Sequence, residues 1–154
     1  MIKVQNKTTK RIRVIQIIVF LVQIFLTSQP FVWGGAFYTQ YKKSTFTVLD
    51  MIANIGATTG NTETEGVLST LGLCYIVFLV IPVVALGFQL FDREYNLKNA
   101  VGIICSALGV ICILYFVGAP YLCFASLISL LLYLFSAFMS VMGIFARMLK
   151  TDSQ

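Results

Sequence analysis

The side chains that could carry out acid–base chemistry are few, and they lie in short polar stretches. The chain of 154 residues has no histidine and only six acidic residues. Paired carboxylates can act as general acid and general base. An enzyme would therefore have to use Asp50, Glu63 or Glu65 in one polar stretch, or Asp92 and Glu94 in another. We interpret each of these as a solvated charge, so the sequence predicts no catalytic residue.

Four cysteines could in principle bind a metal or form disulfides. They are Cys74, Cys105, Cys112 and Cys123, and all fall inside apolar runs, without the histidine partners and spacing of a zinc site. We interpret them as small buried apolar residues, with one pairing among Cys74, Cys112 and Cys123 left open. A Gly-rich phosphate loop is also absent from the sequence. The sequence thus predicts neither a metal site nor a cofactor site.

The apolar runs themselves determine the class of fold. Hydrophobic residues make up 58% of the chain and charged residues 11%, with a mean hydropathy of +0.90, outside the balance of soluble domains. Four runs reach the length of about 18 residues that marks a membrane span. The sequence predicts an all-α integral membrane protein, one domain over 1–154, with four transmembrane helices at about 14–33, 67–91, 100–118 and 121–146.

The first run is preceded by basic residues, as in a secretory signal, but it is about 20 residues long and no A-x-A-like site follows. We expect it to be a span. Positive residues are retained in cytoplasmic loops, so both termini are predicted to lie on the cytoplasmic side. The membrane is predicted to be the plasma membrane. Nine of the eleven basic residues lie on that side, namely Lys3, Lys7, Lys10, Arg11, Arg13, Arg93, Lys98, Arg147 and Lys150.

The net charge of +5 then reflects topology and attraction to anionic lipid. The lipid bilayer is an expected partner. Nucleic acid is not, because basic and aromatic residues are not interleaved on a soluble domain.

Small residues recur at helical spacing on the last two spans. Close contact between helices in lipid depends on small residues and polar pairs. We expect one stripe on span three to face another on span four across a tight hairpin, or the second stripe to serve a partner protein. Asn99 is expected to cap span three. The stripes are Gly102, Ser106 and Gly109 on span three, and Ala125, Ser129, Ser136, Ser140 and Gly143 on span four.

Span one carries Gln16, Gln23, Thr27 and Pro30 on one face. Amides in hydrocarbon are costly without partners, so this face is predicted to point inward. Its two interpretations are hydrogen bonding between helices and a polar path for a substrate. Pro82 is expected to kink span two, because proline removes a backbone hydrogen bond.

The first outer loop contains an amphipathic pattern at 46–55. Thr47, Asp50 and Asn54 form its narrow polar stripe, with Ser44 or Thr45 as start and Gly56 as end. At about 15 Å it is too short to cross the bilayer. We expect an interfacial helix, with Lys42 and Lys43 reaching lipid phosphates, or a re-entrant segment between the spans.

The functional prediction rests on what the spans contain. Ionisable residues inside a membrane usually mark ion coupling, proton relay or buried catalysis, and the predicted span interiors have none. We therefore expect a non-catalytic subunit, interaction protein or scaffold of a membrane complex, with a membrane-protein partner or a second copy of itself. The alternatives are an oligomeric pore or facilitator without ion coupling, and a small membrane-embedded enzyme.

Overall fold

The computed structural model describes residues 7–34, 45–53, 55–56, 62–92 and 97–151. Within them the chain is almost entirely helical. A short antiparallel ribbon pairs Val32 with Phe46 and Trp33 with Thr45. The elements are α1 (Lys7–Leu26), β1 (Val32–Trp33), β2 (Thr45–Phe46), α2 (Val48–Ala53), α3 (Thr62–Phe91), α4 (Leu97–Cys112), a π-helical turn (Ile113–Val117), a 3₁₀ turn (Ala119–Tyr121) and α5 (Phe124–Thr151).

Three helical stretches in the described part of the chain are long and apolar enough to cross a membrane. They are Ser69–Phe91, Leu97–Val117 and Phe124–Ala146. Large apolar side chains such as Phe135 and Phe138 on α5 are exposed along them, as expected for surfaces that face lipid. The sequence prediction of membrane-length helices is confirmed for these three runs.

The first predicted span differs from the helix that the chain forms. α1 begins at Lys7 and ends at Leu26, well before the predicted end at residue 33. The backbone N–H of Thr27 bonds to the Ile24 carbonyl at 3.2 Å, so the last turn tightens. Pro30 then disfavours helical geometry in the residue before it. The apolar part of α1, residues 14–26, is about 20 Å long.

The segment after α1 folds back onto the bundle. We call residues 27–34, 45–53 and 55–56 the cap. Its backbone groups find partners although it is not helical: Phe31 N–H donates to the Phe46 carbonyl at 2.8 Å, and Val48 N–H donates to the Thr27 carbonyl at 3.1 Å. Val32 also forms an isolated bridge with Leu122. Buried backbone outside regular helices needs such partners.

The helix predicted at 46–55 is shorter than expected. α2 covers only Val48–Ala53, because Phe46 belongs to β2. Its start is fixed by a reciprocal capping box, in which Asp50 N–H donates to Thr47 Oγ1 at 2.9 Å and Thr47 N–H donates to an Asp50 carboxylate oxygen at 3.0 Å. The expected caps, Ser44 or Thr45, are therefore replaced by Thr47. Gly56 follows with φ of 77°, as helix ends favour.

The cap lies against the bundle through its apolar side chains. Phe31 and Phe46 are 1% and 4% exposed, and Met51 is 2% exposed. The Phe31 and Phe78 rings are 5.2 Å apart. At Gly72 on α3, an added Cβ would lie 2.8 Å from the Met51 carbonyl oxygen, so α2 packs directly on the α3 backbone.

The turns at the two ends of α4 use specific caps. At its start, Lys98 N–H donates to an Asp92 carboxylate oxygen at 2.8 Å. Asn99 is the third residue of the helix and is buried, so the prediction that Asn99 caps this helix is wrong. At the other end, Gly118 adopts φ of 75° and its N–H bonds to Ile113, which turns the chain sharply towards α5.

Candidate functional site

A buried set of polar side chains joins three helices at the middle of α1. We call Gln16, Gln89 and Ser140 the amide cluster. Gln89 Nε2 donates to Gln16 Oε1 at 2.7 Å, and Gln16 Nε2 donates to Ser140 Oγ at 2.6 Å. All three residues are at most 1% exposed. Because α1, α3 and α5 each supply one member, the cluster fixes how these helices are aligned.

α4, the remaining long helix, packs against the amide cluster at Gly102. A Cβ at Gly102 of α4 would collide with Ser140 Oγ, and Gln16 Nε2 lies 3.8 Å from that position. One turn nearer the helix start, Asn99 faces Gly143 of α5, where an added Cβ would lie 2.8 Å from Asn99 Nδ2. The two glycines therefore admit polar side chains of the facing helix, as is common in membrane helix contacts.

Arg13 binds the end of α3 beside the amide cluster. Its Nε donates to the Gln89 carbonyl and its Nη2 to the Leu90 carbonyl, each at 2.6 Å. α3 ends at Phe91, so these carbonyls belong to the last turn, which lacks intrahelical donors and carries partial negative charge. A guanidinium is well matched to that position.

A shallow cavity opens between Arg13 and the amide cluster. Together with its open mouth it encloses about 210 Å³, and its narrow part has room for about one water molecule. Gln89 lines the cavity, and its Oε1 is buried without a hydrogen-bond partner among the described residues. The lining residues are Ile12, Arg13, Gln16, Gln89, Lys98, Asn99 and Gly143.

A second polar level lies further along α1, at Gln23. The contacts of Arg13 with Gln89 and of Phe31 with Phe78 show that α1 and α3 run antiparallel. Gln23 lies about two turns from Gln16 on the same face. It is 2% exposed, and neither atom of its amide has a partner in the described part of the chain. This level is therefore buried but not satisfied.

Two serines and a proline accompany Gln23 in the interior. Counting back from Gln89 along α3 by the same two turns reaches Pro82, which is fully buried. Proline has no N–H, so the Phe78 carbonyl loses its usual helical donor. Ser106 and Ser136 lie one turn from Gly102 and Ser140, and both hydroxyls are buried without a partner among the described residues.

The remaining small residues pack the hairpin of α4 and α5. A Cβ at Gly109 would lie 2.5 Å from the ring of Tyr133, which is 1% exposed. Ala125 and Ser129 are each 4% exposed. The small residues expected to face a neighbouring helix are thus buried inside one copy of the chain.

The other predicted site residues have separate roles or lie outside the described residues. Thr27 is 3% exposed, and its hydroxyl donates to the Ile24 carbonyl at 2.7 Å. Thr47 and Asp50 bond to each other in the capping box. The structure therefore does not bring these residues together with the amide cluster. Asn54, Lys42 and Lys43 are outside the described residues.

Sequence reasoning missed two members of this region. Gln89 lies two residues before the predicted end of span two, where an amide is easily taken for a boundary residue. From the sequence, Arg13 is only one of the positive charges on the predicted cytoplasmic side, and its contact with α3 is not indicated. The signal available was spacing: Arg13 and Gln16 are three residues apart, and so lie on one face of α1.

The chemistry of this region is hydrogen bonding rather than proton transfer. Amides and hydroxyls donate and accept hydrogen bonds but do not ionise near neutral pH. Of the five carboxylates considered above, the structure describes the side chains of Asp50 and Asp92, and each caps a helix. The cysteines are free thiols.

Comparisons with protein-family models, with curated proteins and with solved structures found no match to this chain.

Proposed function

We propose that α1 is a fourth transmembrane span, with both chain termini on the cytoplasmic side of the plasma membrane. Val14, Ile18 and Phe25 on α1 are exposed, as a lipid-facing surface would be. Its apolar part is shorter than the hydrocarbon core of about 30 Å. The buried cap supports this topology because it fills the remaining depth beside α3. The cap would then be re-entrant rather than interfacial.

Within that topology, the chain is a non-catalytic subunit or scaffold of a membrane complex. The observation that carries this proposal is that the polar groups of the amide cluster bind one another. Hydrogen bonds of 2.6 and 2.7 Å use the Gln16 amide to join α3 and α5. The opposite end is filled by Phe31, Phe46 and Met51. Polar side chains used in this way stabilise an assembly of helices rather than bind a substrate.

Mild extraction of tagged, full-length protein tests this function. The native membrane is solubilised gently, the intact mass of the purified particle is measured, and its components are identified. A second protein in fixed stoichiometry is the expected result, with an untagged strain as the control for background. A particle containing only copies of this chain would contradict a subunit role.

A second candidate function, an oligomeric facilitator for a neutral solute, is favoured by one observation. Gln23 is buried at mid-span, and both atoms of its amide lack a partner among the described residues. A hydrated path through the interior of the helix bundle in each copy would satisfy it. The test is flux of water and glycerol into proteoliposomes, comparing Gln23→Leu with Val22→Leu on the exposed side. If the unaltered protein conducts and Gln23→Leu abolishes the flux, the result would favour the facilitator. If the unaltered protein shows no flux, a facilitator role would be excluded for these solutes.

A further inference from the structure

The cavity beside Arg13 lies where a membrane-spanning bundle meets water. Arg13 holds the Leu90 carbonyl, and the candidate spans of α3 and α4 end at Phe91 and begin at Leu97. Phospholipid headgroups occupy this depth on either side of the hydrocarbon core. A cavity at this position is open to headgroup phosphate as well as to water.

The charge of the cavity rim is positive. Arg13 and Lys98 both line it. Among the described residues the acidic neighbour is Asp92, and one of its carboxylate oxygens accepts a hydrogen bond from the Lys98 backbone N–H. Lys98 Nζ lies 3.3 Å from the Asp92 carbonyl. The three side chains sum to one positive charge. Lys10 and Arg11, both exposed on the first turns of α1, add to the positive potential at this end.

Arg13 is already oriented and still has donors to offer. A guanidinium carries five N–H donors in a rigid fork. Two of them bind the last carbonyls of α3, so three remain without a partner among the described residues. Because these two bonds fix the side chain, little rotamer entropy is lost when an anion binds.

We propose that this cavity binds the phosphate of an anionic phospholipid from the adjacent leaflet, through Arg13 and Lys98. The narrow part admits about one water and not a headgroup. The phosphate therefore lies at the mouth, and a water beneath it donates one hydrogen to Gln89 Oε1 and one to a phosphate oxygen. This arrangement provides the missing partner for the buried acceptor on Gln89. The site rests on the membrane topology proposed above, but not on the subunit role.

Native mass spectrometry of the full-length protein in detergent, titrated with phosphatidylglycerol or phosphatidylcholine, tests the site. We expect preferential binding of phosphatidylglycerol, and about tenfold weaker binding in Arg13→Gln, since the charge-assisted hydrogen bonds from Arg13 to the phosphate are lost. Arg11→Gln is the matched control, because it removes the same charge from an exposed position two residues away. Equal losses in both variants would overturn a specific site.

Two further arms make the outcome decisive. Lys98→Gln keeps the bonds from Arg13 to α3, so weaker lipid binding in this variant cannot come from loss of that contact. Unchanged binding in both Arg13→Gln and Lys98→Gln would overturn the proposal. Inorganic phosphate is titrated in lipid-free detergent, and Arg13-dependent binding of phosphate without a preference for phosphatidylglycerol would assign the site to free phosphate instead. The result is independent of whether a partner protein co-purifies.

Discussion

The two ends of the bundle are held together by different interactions. At the Arg13 end, α1, α3 and α5 are joined by directional hydrogen bonds among Gln16, Gln89 and Ser140. At the cap end, α1 has already ended, and Phe31 and Phe46 fill the space by apolar packing. The stability of the Arg13 end depends on a few polar atoms held in one hydrogen-bonding geometry. The stability of the cap end depends on the volume that its side chains fill and on its backbone hydrogen bonds. Substitutions at the two ends should therefore act differently.

The largest effect is expected at the cap end, from Phe31→Ala. Phe31 is 1% exposed and its ring lies 5.2 Å from that of Phe78. Its removal leaves a cavity and weakens docking of the cap, and we expect a loss of about 3 kcal/mol in the free energy of unfolding. Reversible unfolding of detergent-solubilised protein measures this. Phe25→Ala, at a position 63% exposed, should have little effect, and similar losses in the two variants would show that the cap is not docked.

At the Arg13 end, we expect Gln16→Leu to reduce the free energy of unfolding by about 2 kcal/mol. The substitution removes one hydrogen-bond acceptor and one donor, and it leaves polar atoms of Gln89 and Ser140 buried. The same unfolding measurement applies, with Ile18→Leu on the exposed face of α1 as the control. A Gln16→Leu protein as stable as the parent would mean that apolar packing holds both ends.

A smaller loss, about 1.5 kcal/mol, is expected from Gly102→Ala. The new Cβ would meet Ser140 Oγ, which cannot move without weakening its bond to Gln16. Gly87→Ala is the matched control, because an added Cβ there meets nothing within 4 Å and alanine favours the helix. Both alanine variants gain helix propensity, and only Gly102→Ala adds a steric contact. The difference between their free energies of unfolding therefore measures the cost of that contact. Equal stabilities would show that α4 can shift freely at this level.

The smallest change, and the only gain, is expected from Gln23→Leu. Because neither atom of its buried amide has a partner in the described part of the chain, an apolar side chain of similar size should raise the free energy of unfolding by about 1 kcal/mol. Gln16 and Gln23 would then respond in opposite directions although they lie on one helix face. A loss of stability on Gln23→Leu would instead indicate that water inside the bundle satisfies this amide.

The sequence predicted most of the helical architecture because apolar length alone determines where a membrane-length helix can form. Three of four predicted runs coincide closely with candidate spans. The small residues at Gly102 and Ser140 also lie against each other. These features depend on local composition and on helical spacing, and both can be read from one sequence.

The remaining features depend on which helices and loops contact one another. A single sequence does not give these contacts. α1 ends at Leu26 because the cap, made partly of residues beyond position 44, replaces its last turns. Gln89 joins the amide cluster only because α1 and α3 are antiparallel in one particular alignment. Thr47 and Asp50 have the spacing of a capping box, but the same spacing also fits the polar stripe of an amphipathic helix.

The hydrogen bond between Gln16 and Ser140 joins residues 124 positions apart, and this has a consequence for biosynthesis. α1 leaves the ribosome before α5, the helix that contains Ser140. In the proposed topology, Gln16 stays in the membrane without this partner until α5 has been inserted. Chains that stop before α5 would leave Gln16 without its partner Ser140 in the membrane, which is costly for an amide. The amide cluster thus forms only after α5 has joined α1 and α3.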